Sequence, residues 1–191
     1  MRRQIRQIRQ SLSLDVQHQA SQHIVSSIIQ LAVYQQAISI AAYVADEGEI
    51  DAMQVLVRAQ DEKSCYLPVL ASGKERRLHF YEYSRQRELV SNRYGILEPD
   101  VTQSIEMSAE GLDIVLVPLV LFDSKCHRVG RGAGYYDRTF EFKNKNQSVK
   151  PLLIGLAYEF QKTEALQPEP WDIPLDWVVT EKAVYQREDS N

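Results

Sequence analysis

Apolar positions recur at helical spacing through residues 1–30. Ile5, Ile8 and Leu12 form one stripe, and Ile24, Ile28 and Leu31 form a second. Ser13 and Asp15 break the run between the two stripes, and Ser13 has the chemistry of a helix N-cap. The period then changes. Ile38–Val44 (ISIAAYV) is a short apolar run rich in β-branched and aromatic residues, which predicts a buried strand. A charged turn, Asp46-Glu47-Gly48-Glu49, leads into Asp51–Ala59, where Met53, Leu56 and Val57 predict an amphipathic helix. Cys65–Leu70 and Leu78–Tyr83 read as strands. In the second, Leu78 and Phe80 alternate with His79 and Tyr81, so one side is wetter. Ser84–Arg93 reads as a polar surface loop, and Tyr94–Pro99 has turn residues and little periodicity. Asp113–Phe122 (DIVLVPLVLF) is the strongest apolar run and the predicted central strand; Pro118 within it needs a strand end or a place without a ladder donor. A glycine-rich segment follows, then a predicted helix through Phe142, and strands at Leu152–Ala157 and Trp177–Thr180.

Strands alternating with helices imply βαβ units. The predicted fold is therefore α/β, a three-layer sandwich around a largely parallel, Rossmann-like sheet, in one domain over residues 1–191. A chain of this size buries about 70% of its unfolded surface and needs no disulfide staples. Hydrophobic residues are 44% and charged residues 25%, which excludes a disordered or fibrous protein. The formal charge is 22 − 26 = −4, which argues against a general nucleic-acid coat but leaves room for a local basic pocket. Cys65 and Cys126 are too few and too far apart for a disulfide framework or a zinc site. No apolar run approaches the roughly 20 residues of a membrane helix, and the basic N-terminus has no apolar stretch behind it to make a secretory signal. The expectation is a cytoplasmic protein without nucleic-acid or membrane partners.

The chemistry concentrates in Arg128–Asp137, RVGRGAGYYD. Gly130, Gly132 and Gly134 alternate directly before a predicted helix, so the backbone can adopt positive φ and approach a ligand closely. The helix start points free N–H groups and the positive end of its dipole at that ligand. Arg128 and Arg131 add forked cationic donors suited to phosphate oxygens. Together these features favour an anion, and a polyphosphate above all. Neither common nucleotide signature is present: Tyr135 stands where both GxxxxGK[ST] and GxGxxG require glycine. Asp137 has two readings, a helix cap or a carboxylate that holds Mg²⁺ beside phosphate oxygens. Of Tyr135 and Tyr136, one could face a flat aromatic substrate and the other the core.

Several segments together resemble the 5-formyltetrahydrofolate cyclo-ligase (methenyltetrahydrofolate synthetase) family. They are the GEID of Gly48–Asp51, LPVL of Leu67–Leu70, Glu98-Pro99, Asp113–Asp123, the glycine-tyrosine segment, IGLAY of Ile154–Tyr158 and WDIPLDWVVT of Trp171–Thr180. The resemblance implies the cyclo-ligase fold. It also implies conversion of 5-formyltetrahydrofolate, with or without a polyglutamate tail, and ATP to 5,10-methenyltetrahydrofolate, ADP and phosphate, with Mg²⁺ and by way of a phosphorylated formyl group.

Carried over by position, the resemblance implies an ATP site of Arg128, Val129, Gly130, Arg131, Gly132, Ala133, Gly134, Tyr135 and Tyr136. The folate shares Arg131 to Tyr135 of that segment and adds Val44 and Glu49. Asp137 and Asp172 are the implied metal ligands, and Arg128 and Tyr135 the implied catalytic groups. Members of the family carry a Lys and, four residues on, an Arg that reach ATP. Alignment on Leu12-Ser13 puts Arg2 at the Arg position and leaves the Lys position ahead of Met1; alternatively Arg2 and Arg6 form the pair, being i and i+4 on one helix face. The protein is expected to act as a monomer. A folate-binding relative without turnover and an RNA-interacting relative are the competing classes, the second disfavoured by the acidic balance. His127, Cys65, Trp171 and Trp177 are read as turn, core or packing residues.

Overall fold

The computed structural model describes residues 1–71, 75–144 and 150–188. It opens with three helices, α1 (Arg2–Ser11), α2 (Leu14–Gln30) and α3 (Ala32–Gln36), before strand β1 (Ser39–Ala41). Helix α4 (Met53–Ala59) leads to β2 (Ser64–Leu70) and β3 (Leu78–Glu82), then a ribbon of β4 (Leu89–Ser91) and β5 (Leu97–Pro99), and β6 (Glu106–Met107). The second half holds β7 (Ile114–Pro118), a ribbon of β8 (Leu121–Phe122) and β9 (Arg128–Val129), α5 (Tyr135–Thr139), β10 (Leu152–Leu156), β11 (Trp177–Val179) and β12 (Val184–Gln186).

The main sheet runs β12-β11-β10-β7-β1-β2-β3-β6. Its strands from β11 to β2 are parallel, and β12, β3 and β6 join at the edges antiparallel. The mostly parallel α/β sheet agrees with the sequence. Each central strand feeds two cores by simple alternation. Ile40, Ile114, Leu116, Ile154 and Leu156 pack against α2 and α4, whereas Ala41, Val115, Val117 and Leu153 pack against Phe140 of the α5 segment. Pro118 closes β7, the strand end its missing donor requires.

Several boundaries differ from the sequence reading, each for a local reason. The run Asp113–Phe122 is two elements, because the chain leaves the sheet after Pro118 and Leu121–Phe122 pair instead with Arg128–Val129. Ser84–Arg93 and Tyr94–Pro99 are not simply loop, since Leu89–Ser91 and Leu97–Pro99 pair; three-residue strands are too short to show a period. The helix after the glycines stops at Thr139, and Glu141–Asn144 tightens to a 3-10 turn. In α1 the inward stripe is Ile5, Arg9 and Leu12, while Ile8 is exposed. In α4, Val55 rather than Val57 is buried.

The chain order places the site. From β1 the chain moves to β2 on one side, and from β7 it moves to β10 on the other. The carboxyl ends of β1 and β7 therefore splay apart at a topological switch point, where open α/β sheets bind ligands. No helix among the described residues is long and apolar enough to cross a membrane.

Candidate functional site

A cavity of about 1380 Å³ lies at that switch point. It exceeds the roughly 300–1,000 Å³ of a single-ligand pocket, so two ligands can lie side by side. It is lined by Pro118, the last residue of β7, and by Leu119 just beyond it. One wall carries Tyr43, Val44, Asp46 and Glu49, which follow β1; the glycine segment forms the other.

The first wall is built around a buried acid. Glu47 (φ +50) and Gly48 (φ +72) turn the chain through left-handed conformations, and a Cβ on Gly48 would lie 2.6 Å from the Arg9 carbonyl oxygen, so only glycine fits. The Tyr158 hydroxyl donates to the Gly48 carbonyl at 3.1 Å and tethers the turn. Glu49 is 8% exposed. Its Oε2 accepts from the Asp46 amide at 3.2 Å; its Oε1 lies 3.0 Å from Arg131 Nη2 and 3.4 Å from Arg9 Nη2. Burial pushes the Glu49 carboxyl above its ordinary range, and the two guanidiniums pull only partly against that shift. Arg131 also pairs with Asp46 at 2.7 Å. Val44 adds apolar surface to the same wall.

On the second wall, Gly132 (φ +101) and Gly134 (φ +70) use the freedom that glycine supplies. Gly134 is the N-cap of α5, whose first residues are Tyr135, Tyr136 and Asp137. Asp137 is therefore not the cap. It lies in the first turn, where its Oδ1 accepts from Arg128 Nη2 at 2.5 Å and from the Ile173 amide at 3.3 Å. The Arg128 side chain is 5% exposed, and its buried Nε has no hydrogen-bond partner among the described residues. Arg128 lines the cavity, and its guanidinium places positive charge in that wall. Val129, Gly130 and Ala133 line the cavity as well. Tyr136 stacks on Phe140 (ring centroids 6.3 Å apart), and both Tyr135 and Tyr136 line the cavity while packing against the core beneath it.

The two N-terminal arginines separate. Arg2 lines the cavity, and its Nη1 lies 3.4 Å from where a Cβ on Gly132 would stand. Arg6 gives its guanidinium to Glu47 at 2.6–2.9 Å. Asp172 shares the cavity with Asp137 and also accepts from the Glu169 amide at 2.9 Å, so it is both a turn residue and a wall residue. No group of three metal-ligating side chains that could hold an ion occurs among the described residues. Mg²⁺ takes one or two carboxylates and completes its shell with phosphate oxygens and water, so Asp137 and Asp172 fit it only beside a polyphosphate.

This layout, an acid-bearing wall facing a glycine-arginine wall, has close relatives. The family model described as the 5-formyltetrahydrofolate cyclo-ligase family matches residues 1–181. The chain belongs to that family. It is 38% identical to the 5-formyltetrahydrofolate cyclo-ligase of Haemophilus influenzae, over 92% of each chain. It is 34% identical to the enzyme of that name from Escherichia coli K12, over 95% of this chain and 99% of the relative. The solution structure of the Aquifex aeolicus 5,10-methenyltetrahydrofolate synthetase superposes with a TM-score of 0.84 at 31% identity, covering 100% of this chain and 92% of that one. As a member of this family the protein is a ligase.

Some wall residues escaped the sequence. Arg138 Nη1 donates to the Ala133 and Gly134 carbonyls at 2.8 and 3.1 Å and braces the loop from behind. Arg9, behind the first wall, is 1% exposed. The signal was present: Arg9 lies four residues after Ile5 and three before Leu12, on the apolar stripe. Cys65 and Cys126 are buried, with thiols pushed up to about 11 and about 12, as suits inert core residues.

Proposed function

We propose that the protein converts 5-formyltetrahydrofolate and ATP to 5,10-methenyltetrahydrofolate, ADP and phosphate, with Mg²⁺. The observation that carries this reading is that one cavity is lined by both the buried Glu49 carboxylate and the Arg128 guanidinium. A carboxylate accepts paired N–H bonds from the aminopyrimidine edge of a pterin, which orients the ring. Val44 gives that ring an apolar neighbour. On the opposite wall, Arg128, Arg131, Arg2 and the amides of Gly130, Gly132 and Gly134 neutralise a triphosphate, with Val129, Ala133 and Tyr136 shaping its bed. Arg6 reaches it only by leaving Glu47.

The chemistry needs little more from the protein. A formamide oxygen is a poor leaving group. Transfer of the γ-phosphoryl to it releases ADP, N10 attacks the activated carbon, and the C–O bond breaks to release phosphate. Phosphoryl transfer depends on positioning and on charge neutralisation, which arginines and oriented amides supply. Asp137 and Asp172 are the residues that would hold Mg²⁺, which lowers the charge on the transferring phosphoryl. Arg128 stabilises charge as the phosphoryl moves, and Tyr135, at the start of α5, holds the reacting ends together. The reading carries with it a monomer working in the cytoplasm, on folate with or without a polyglutamate tail.

The test mixes purified protein with 5-formyltetrahydrofolate, Mg²⁺ and ATP, and follows methenyl-folate absorbance together with ADP. One ADP per methenyl-folate is expected. Bound folate without an ATP-dependent signal would replace this reading with a binding protein that lacks turnover.

A further inference from the structure

Arg9 is the least solvated of the four arginines on α1, and it has three acceptors. Its Nε donates to the Glu47 carbonyl at 3.0 Å, its Nη1 to the Leu119 carbonyl at 3.3 Å, and its Nη2 lies 3.4 Å from Glu49 Oε1. These acceptors come from both sides of the switch point: the turn after β1 and the residue just beyond β7. Burying a guanidinium is costly, and desolvation holds the Arg9 pKa below its ordinary value. An apolar side chain would fill the same space without that cost, so the charge and the fork geometry have a use. Resting on the reading of Glu49 as the pterin acceptor, we propose that Arg9 is a positioning residue for 5-formyltetrahydrofolate: it locks the Asp46–Glu49 turn to the end of β7 and holds the Glu49 carboxylate in the cavity wall.

The two arginines on Glu49 then divide the work. The Arg131 side chain is 34% exposed on a glycine-rich loop and can turn to an arriving phosphate. The Arg9 side chain is 1% exposed and stays, so Glu49 keeps a cation when Arg131 leaves. The other charged or titratable groups facing Glu49 are Asp46 and Glu47 on its own turn, Tyr43 beyond β1 and Tyr136 on α5. None of these supplies a second buried cation.

A double-mutant cycle tests the assignment. Arg9→Lys keeps the charge but loses the fork, and is expected to raise the KM for 5-formyltetrahydrofolate about tenfold while moving the KM for ATP less than about twofold. In a Glu49→Gln background the same change is expected to add nothing further to the folate KM, because the residue it acts through is already gone. Equal rises for both substrates, or additive effects in the double variant, would make Arg9 a general fold-holding residue. Arg9→Gln keeps a donor at the position of Nε, removes the cation, and gives a readout independent of turnover. It is expected to move the Glu49 carboxyl midpoint, read by ¹³C NMR, up by about one pH unit. An unmoved midpoint overturns the proposal even if the wild type proves inactive, and wild-type inactivity with a shifted midpoint overturns only the reaction. Collapse of both variants would likewise reduce Arg9 to a structural role.

Discussion

The wall that follows β1 and the wall that follows β9 both set arginine against carboxylate, yet they are held in different ways. Glu49 is fixed by side chains: two guanidiniums, one backbone amide and a tyrosine tether on the preceding glycine. The Arg128 wall is fixed by backbone, with glycines at φ +101 and +70 and a short helix behind them. The first arrangement suits a planar ligand read through directional N–H bonds, where a small displacement of the acceptor is costly. The second suits a triphosphate, which offers charge in many directions and asks for amides and cations at close range. Arg131 belongs to both: it sits on the glycine loop and pairs with Asp46, Glu47 and Glu49 across the cavity. Its guanidinium spans the two walls.

The contrast breaks most sharply at Arg128. Arg128→Ala is expected to lower turnover about 10²–10³-fold, by analogy with removing one preorganised donor from a charge-stabilising site. Initial rates at saturating substrates measure it; a loss below about threefold would confine Arg128 to holding Asp137. On the other wall, Glu49→Gln is expected to cut kcat/KM for the folate about a hundredfold, the scale of one charge-assisted hydrogen bond, with the KM for ATP nearly unmoved. Comparable losses for both substrates would mean that the walls do not sort the ligands. Asp137→Asn is expected to raise the Mg²⁺ needed for half-maximal rate about tenfold while folate binding, read by calorimetry, stays put. Equal weakening of both would remove the metal role.

The smallest effect concerns stability. Burial raises the Glu49 carboxyl above its ordinary value of 4.5, so folding shifts it toward the protonated form. A carboxyl raised in this way contributes stability that is present below 4.5 and is lost as pH rises through the higher folded value. Glu49→Gln mimics the neutral form. Its melting temperature should match wild type in acid and exceed it near neutrality. In wild type, the acid limb of kcat/KM for the folate should lie above the ordinary glutamate range, because only the carboxylate accepts both pterin N–H bonds. A midpoint at or below 4.5 would contradict the burial.

Much of this was legible along the chain. The strand runs at Ile38–Val44, Cys65–Leu70, Asp113–Phe122 and Leu152–Ala157 were visible because strands buried on both faces are continuously apolar. The glycine-arginine segment was visible because its chemistry is contiguous, and it does lie in the cavity wall. The buried state of Glu49 was not visible. Its local sequence, DEGE, is that of a solvated turn, and only packing against Arg9 and Arg131 from distant segments makes it a desolvated acid. Whether Asp137 caps the helix was equally out of reach, since only the structure shows that Gly134 takes the cap position.

Sequence alone determined the alternation of apolar runs, hence the sheet and its two cores, and the glycine-arginine composition of Arg128–Asp137, because period and local composition need no distant partner. Tertiary structure alone decided which charges meet. Arg9 and Glu49 are 40 residues apart, and Arg131 and Glu49 are 82 apart. They come together because the strand order reverses between β1 and β7, leaving a hollow into which the loops of both halves must turn.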